Sequence, residues 1–453
     1  MSLESAKHQK IEQIELPLEF KGGSGEAPTA MIGIARLGID RLMEEAVGYA
    51  NVEMALKQVR RNKGSSGVDG MTVDELPQYV AQHWEVLRKQ LLAGTYQPKP
   101  VKRQEIEKED GGGVRVLGIP CVLDRFIQLC ILQVLQPRFD PTFSEHSHGF
   151  RPGRGAHQAI RAARRYIQEG RRWVVDVDLE QFFDRVNHDV LMGRLAKRIT
   201  DKRLLKLIRR YLEAGIMANG IVADREEGTP QGGPLSPLLA NVLLDEVDKE
   251  LEKRGHAFAR YADDCNVYVR SRRAGERVME ALKSLYAGLR LKVNESKSAV
   301  ARFRDRKFLG YSFWVAQGGE VKMRVAPKAL KRMKDKIRKM TSRVGGKSMR
   351  MVALELRRYL TGWKEYFRLA DTPSIFRVLD GWVRHRLRAV QLKQWKCGRT
   401  AYVQLRARGL NARDASIVAS HMGHWWKASG RGLILAALPP HYFDQLGVPR
   451  LAA

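Results

Sequence analysis

The chain has 453 residues, with 80 Lys and Arg against 50 Asp and Glu, a formal charge of +30 and a pI near 10.1. That excess implies a polyanionic partner, nucleic acid ahead of an anionic membrane surface, and no apolar run is long enough to predict a transmembrane span. Cys121, Cys130, Cys265 and Cys397 are scattered with no Cys-x-x-Cys pair, which argues against a disulfide framework or a cysteine-rich zinc site. With no basic-then-apolar start, an intracellular, cytoplasmic protein of two or three domains is expected.

Residues 1–40 read as an N-terminal extension, and Lys21-Gly22-Gly23-Ser24-Gly25 has a flexible-linker composition. In 41–95 the spacing of Val52, Ala55, Leu56 and Val59 predicts helices. Basic residues Lys99, Lys102 and Arg103 then run into a glycine turn at 111–113, and a helix is expected over 124–135. Strands and helices alternate over 173–315. Within that stretch Trp173–Leu179 reads as a strand carrying Asp176 and Asp178. Ala257–Ala259 and Val267–Val269 read as two strands joined by a tight turn at Tyr261-Ala262-Asp263-Asp264.

An isolated Asp-Asp pair is more often a solvated turn, but solvated turns seldom sit between two core-like strands. A strand-end aspartate facing such a pair can hold two Mg2+ ions about 4 Å apart, the arrangement used for in-line nucleotidyl transfer. Magnesium takes hard oxygen ligands, so carboxylates are the right residue type. Alternation puts Asp176 and Asp178 on one face, and spacing alone does not choose between them.

Beyond Gly319 the character shifts. Twelve Lys or Arg fall between Lys322 and Arg350 against one acid, Asp335, and Lys331, Arg332, Lys334 and Arg338 are the candidates for a phosphate-tracking surface. Leu356, Tyr359, Leu360, Trp363 and Phe367 recur at helical spacing and predict a packed core rather than a base-stacking platform. Trp382, Leu387 and Trp395 extend this to an all-helical bundle over 320–400. The final stretch, 401–453, carries His421, His424, Trp425 and Trp426 with several arginines, and the histidines lack the partners a zinc site needs.

The order of short blocks along the chain carries a resemblance. Asn62 to Gly70 comes first, then Tyr96-Gln97-Pro98, Gly111 to Pro120 with Asp124-Arg125, and Phe143-Ser144-Glu145. His148 to Arg154, Asp178 to His188 and Gly228-Thr229-Pro230-Gln231-Gly232-Gly233-Pro234 follow. The Asp263-Asp264 hairpin, Lys292 to Lys297 and Phe308-Leu309-Gly310-Tyr311 close the series. Over residues 50–400 these resemble the group II intron-encoded reverse transcriptase/maturase family. The tail is similar to the DNA-binding tail of its endonuclease-lacking members.

The resemblance implies an α+β right-hand polymerase, with fingers and palm over 96–319 and an all-helical thumb/maturase domain over 320–400. It implies two Mg2+ ions, with Mn2+ able to substitute, held by Asp178, Asp263, Asp264 and the carbonyl of Leu179. It selects Asp178 over Asp176. Phe183 stands where the family places an aromatic gate against a 2′-hydroxyl, and Phe182 reads as the core neighbour. Lys108 and Arg115 would clamp the triphosphate, Arg151 and Gln231 would line the nucleotide or template pocket, and Lys297 would offset charge near the acids. Leu309 and Gly310 resemble the primer grip, and His188 reads as a structural residue at a helix start. Expected partners are group II intron RNA, a DNA target and primer, and dNTPs, with no membrane and the oligomeric state open. Other readings are a related reverse transcriptase recruited to host repair or defence, a splicing factor with a silent polymerase core, and an RNA-dependent RNA polymerase. Intact acids argue against the second of these, and Phe183 against the third.

Overall fold

The computed structural model describes residues 41–107, 113–218, 221–223, 227–230, 232–420 and 423–452. Among them eleven strands follow in chain order: β1 (Val101–Glu107), β2 (Val114–Ile119), β3 (Trp173–Val177), β4 (Ile216–Ala218), β5 (Ile221–Ala223), β6 (Ala257–Tyr261), β7 (Asp264–Val269), β8 (Ala299–Arg302), β9 (Lys307–Phe308), β10 (Tyr311–Val315) and β11 (Val321–Val325). They form three sheets, β2-β1-β4-β5, β6-β7-β3-β8 and β11-β10-β9. The class is α+β, with helices alone beyond residue 327. No helix among the described residues is long and apolar enough to cross a membrane.

The central sheet β6-β7-β3-β8 is antiparallel throughout, with Val175 opposite both Val267 and Val300. Side chains alternate across it. Val175, Val177, Phe258, Cys265 and Val267 face one core, shared with the N-terminal helices and the helices Val122–Phe139 and Ser236–Lys253. Val174, Ala257, Ala259 and Tyr268 face the other, which runs through the helix Ala156–Gln168 into β10, β11 and the C-terminal helices. The sheet is therefore a wall with a core on each side.

Two boundaries differ from the sequence expectation. β3 stops at Val177, because the backbone of the next residues turns to pair with 292–298 (below). The helix expected over 124–135 runs Val122–Phe139 and carries Pro137 in its last turn. Its apolar face continues to Phe139, which is buried, so packing keeps the turn helical past the proline. In the helix Met349–Tyr366, Leu356, Leu360 and Trp363 are buried, and Phe367 caps the same stripe, as the periodicity predicts.

Candidate active site

β6 and β7 are joined by two residues, with Tyr261 paired to Asp264. Ala262 adopts φ 58°, the left-handed twist that a two-residue connection demands of the chain. Asp263 and Asp264 are thereby presented at the end of the sheet. Asp178 follows β3 one step beyond the pair Val177↔Cys265, which sets it across from Asp264. Its backbone is fixed from the far side: the Asp178 N–H donates to Ser298 Oγ at 3.0 Å, and its carbonyl accepts from the Asn294 N–H at 2.8 Å. The Glu180 N–H donates to the Lys292 carbonyl, so residues 292–298 hold the strand end that carries the acid.

The carboxyls disturb one another. Withdrawal from bulk water, followed by the charges of Asp263, Asp176 and Asp178, pushes Asp264 up to about 7. Asp263 is raised by the same withdrawal and by Asp178, with Arg115 and Arg260 opposing. Lys297 Nζ lies 3.7 Å from Asp178 Oδ1. Such a cluster is one that a divalent cation relieves.

Asp176 is different in kind. It forms an ion pair with Arg306 at 2.5 Å, and Arg306 also donates to the Lys297 carbonyl at 2.7 Å. This carboxylate is compensated by a guanidinium, although it lines the same cleft as Asp178 and Asp264.

Asp178 and Asp264 open onto a cleft of about 760 Å³ that also takes in Lys297, Leu309, Gly310 and Arg332. Leu309 (φ 49°) and Gly310 (φ 80°) form the turn between β9 and β10. The Leu309 carbonyl accepts from Tyr366 Oη at 2.9 Å, which ties this turn to the C-terminal helices. The helix Pro327–Met340 buries Met333 and Ile337 and leaves Lys331 and Arg332 exposed. Arg338 is paired with Asp335 at 2.5 Å and lies 5.7 Å over Trp382, while Lys334 is half-buried.

Phe182 is buried and Phe183 half-buried, within the 3₁₀ turn Phe182–Asp184. The Phe183 carbonyl accepts from the Thr229 N–H at 2.7 Å, and Gly228 N–H donates to the Val186 carbonyl at 2.7 Å. Gly228 sits at φ 91°, and a Cβ there would meet the Asp184 carbonyl at 2.8 Å, so the Gly228-Thr229-Pro230 block docks directly on the Phe182-Phe183-Asp184 turn. His188 is buried with Nε2 2.7 Å from the Gly228 carbonyl, a structural contact at the start of its helix. Arg115 lies on β2 opposite Ile106, exposed, and its charge reaches Asp263. Lys108 and Gln231 lie outside the described residues, as do the linker at 21–25 and His421.

Arg151 is not brought to the cleft. Its side chain is 2% exposed, with Nε donating to Asp140, Nη1 to the Ser144 and Ser147 carbonyls, and Nη2 to the Asp140 carbonyl and carboxylate. With every donor engaged it clamps its own loop and has none left for a nucleotide. Of the tail tryptophans, Trp425 is half-buried with Lys393 Nζ 3.9 Å over its ring, and Trp426 stays exposed while meeting His385 edge-on.

Arg260 is the residue that sequence reasoning missed. It is 1% exposed and pairs with Asp248, with Nη2 at 2.5 Å from the carboxylate. Nη1 donates to the Ala262 carbonyl at 2.9 Å and to Asn241 Oδ1 at 3.0 Å, and Nη2 donates to Ser147 Oγ at 2.8 Å. Asn241 in turn donates to the Gly149 carbonyl at 3.0 Å. Gly149 backs so closely onto the Tyr261–Ala262 peptide that any Cβ would collide with the Ala262 nitrogen. The acidic turn is thus held from beneath by an arginine and from behind by a glycine. The available signal was a charged residue inside an otherwise apolar strand, Ala257-Phe258-Ala259-Arg260.

Among the described residues no three His, Cys, Asp or Glu side chains close around one point as a metal cage would. Asp178 and Asp264 instead line an open cleft, with Asp263 beside Asp264 on the same turn, and carboxylates are the donors Mg2+ takes when phosphates and water complete its shell.

Comparison with known proteins gives the family. Residues 106–313 match the family model described as reverse transcriptase (RNA-dependent DNA polymerase), and 330–409 match the group II intron, maturase-specific domain. Protein YkfC of Escherichia coli (strain K12) is 33% identical over 285 residues, 54% of this chain and 74% of YkfC. The group II intron-encoded protein LtrA of Lactococcus lactis subsp. cremoris is 37% identical over 196 residues, 43% of this chain and 32% of LtrA. This chain therefore spans most of one curated relative and about a third of the other. Among solved structures, a partial Cas6-RT-Cas1–Cas2 complex matches with a TM-score of 0.36 at 26% identity, over 55% of this chain and 42% of that one. A reverse transcriptase domain bearing its acids at one sheet end, followed by a maturase-specific helical domain, places the chain in the group II intron reverse transcriptase/maturase family, a family of RNA-directed DNA polymerases that use divalent metal ions.

Proposed function

We propose that the chain copies group II intron RNA into DNA, using a DNA primer and dNTPs, and assists splicing of the intron that it binds. The observation that carries the polymerase reading is that Asp178 and Asp264 line a basic cleft, with Asp263 close enough that the three carboxyls perturb one another. These carboxylates, with the Leu179 carbonyl, would hold two Mg2+ ions, or Mn2+ in their place. When bound, such ions lower the pKa of a primer 3′-hydroxyl and stabilise the leaving pyrophosphate. Lys297 offsets charge beside Asp178, Arg115 meets the triphosphate from the fingers, and the Phe183 ring excludes a 2′-hydroxyl. Leu309 and Gly310 present backbone to the primer, and Lys331, Arg332 and Lys334 follow the nucleic-acid backbone.

The division that goes with this reading is an N-terminal extension over 1–40, a reverse transcriptase extension over 41–95, fingers and palm over 96–319, a thumb/maturase domain over 320–400 and a DNA-binding tail over 401–453, acting in a bacterial-type cytoplasm. The test is primer extension on an RNA template with dNTPs and Mg2+, wild type against the Asp263→Ala, Asp264→Ala double variant. Extension by wild type alone supports the polymerase and its metal site together. Extension by neither, with RNA binding retained, overturns it in favour of an RNA-binding splicing factor.

A further inference from the structure

Behind the cleft, between β8 and the β10–β11 ribbon, lies a second hollow of about 380 Å³. Arg172, Arg302, Arg304 and Arg324 surround it, with Phe313 and Trp314 in its wall. All four arginines are exposed, and none has a carboxylate partner among the described residues. Four unpaired guanidinium groups around one concavity repel one another unless an anion is present. Arg302 is further held 4.6 Å over the Trp173 ring, which keeps it at the rim. A second, independent feature is the indole N–H of Trp314, buried and without a hydrogen-bond partner. A buried donor left unmatched is rare and calls for an acceptor.

We propose that this hollow receives one nucleotide of a single nucleic-acid strand that runs on from the catalytic cleft. Guanidinium groups suit phosphate oxygens by their paired donors, and an aromatic wall suits a base, the combination that single-strand binding surfaces use. The volume lies within the range of pockets that take one small ligand. Continuity fixes where the strand comes from: Arg304 and Arg324 line both the hollow and the catalytic cleft. The proposal rests on the polymerase reading for the identity of the strand, and its test reads binding without turnover, so the two fail separately.

Arg172 and Arg302 line the hollow but not the cleft, so the full chain carrying Arg172→Gln and Arg302→Gln isolates the hollow. Fluorescence anisotropy would compare it with wild type on three labelled RNA–DNA duplexes: blunt, with a 5′ template overhang, and with a single-stranded 3′ template extension. About tenfold weaker binding of one extended duplex is expected, with the slope of log K on log salt lower by about one. Blunt-duplex affinity should be unchanged, and the overhang affected names the strand. Trp314→Leu, checked for unchanged circular dichroism, should weaken the same duplex with no change in slope, because stacking carries no counterion release. Equal loss on all three duplexes, or on none, overturns the proposal.

Discussion

The acidic turn and the basic helix Pro327–Met340 face one cleft and are built in opposite ways. Beneath the turn, Arg260, Asp248, Asn241, Ser147 and Gly149 are buried and joined by short hydrogen bonds, so the positions of Asp263 and Asp264 are set before any ligand arrives. On the helix, Met333 and Ile337 fix the backbone, while Lys331 and Arg332 reach into solvent. Chemistry at a reacting atom demands fixed geometry, and a small displacement is costly. Attraction of a polyphosphate backbone demands only charge of the right sign near its path, which salt can weaken. The two regions therefore fail differently: one by losing turnover at constant affinity, the other by losing affinity at low cost to turnover.

The largest effect tests the first half of that contrast. Asp263→Ala is expected to lower the primer-extension rate roughly a thousandfold or more with RNA affinity nearly intact. A comparable fall in affinity would mean that the acids also shape the binding surface. Next, Arg260→Leu strands the Asp248 carboxylate in the core and should cost about 3–5 kcal/mol of stability, read as a lower denaturant midpoint. Asn241→Ala removes one support and leaves the ion pair, so turnover should fall with a smaller loss of stability than Arg260→Leu causes.

Phe183→Ala should raise rNTP incorporation on the order of tenfold in competition with dNTPs, and unchanged sugar discrimination would remove the gate role. The smallest effect belongs to the helix: Lys331→Gln with Arg332→Gln and Lys334→Gln should weaken RNA binding several-fold and lower the salt slope by about two. Arg338→Gln should add little, because Arg338 is already paired with Asp335. A large further loss from Arg338 would break the contrast between the paired Arg338 and the exposed Lys331 and Arg332.

What the sequence made legible follows the same division. Asp263 and Asp264 stand out because a two-residue turn between two strands is a local pattern. The Leu356, Leu360, Trp363 stripe stands out because one helix face is written every three or four residues. The gate role of Phe183 came from the resemblance, which left Phe182 as the core neighbour, and Phe182 is buried. Arg151 and Arg260 could not be read that way. Whether a guanidinium is open or engaged depends on partners such as Ser147 and Asp248, which the fold brings to Arg260 from 113 and 12 residues away. Likewise, nothing local separates Asp176 from Asp178. Arg306, 130 residues on, supplies the difference.

The double-sided central sheet has a consequence for anyone who would divide this protein. Val174, Ala259 and Tyr268 share their core with β10, β11 and residues Leu356, Leu360 and Trp363 of the C-terminal helices. A chain cut near residue 319 would remove β11 from the sheet β11-β10-β9 and bare the apolar flank behind the acids. Such a fragment would keep every catalytic side chain and be expected to aggregate rather than polymerise, because the helical half serves as the other half of the catalytic wall's packing.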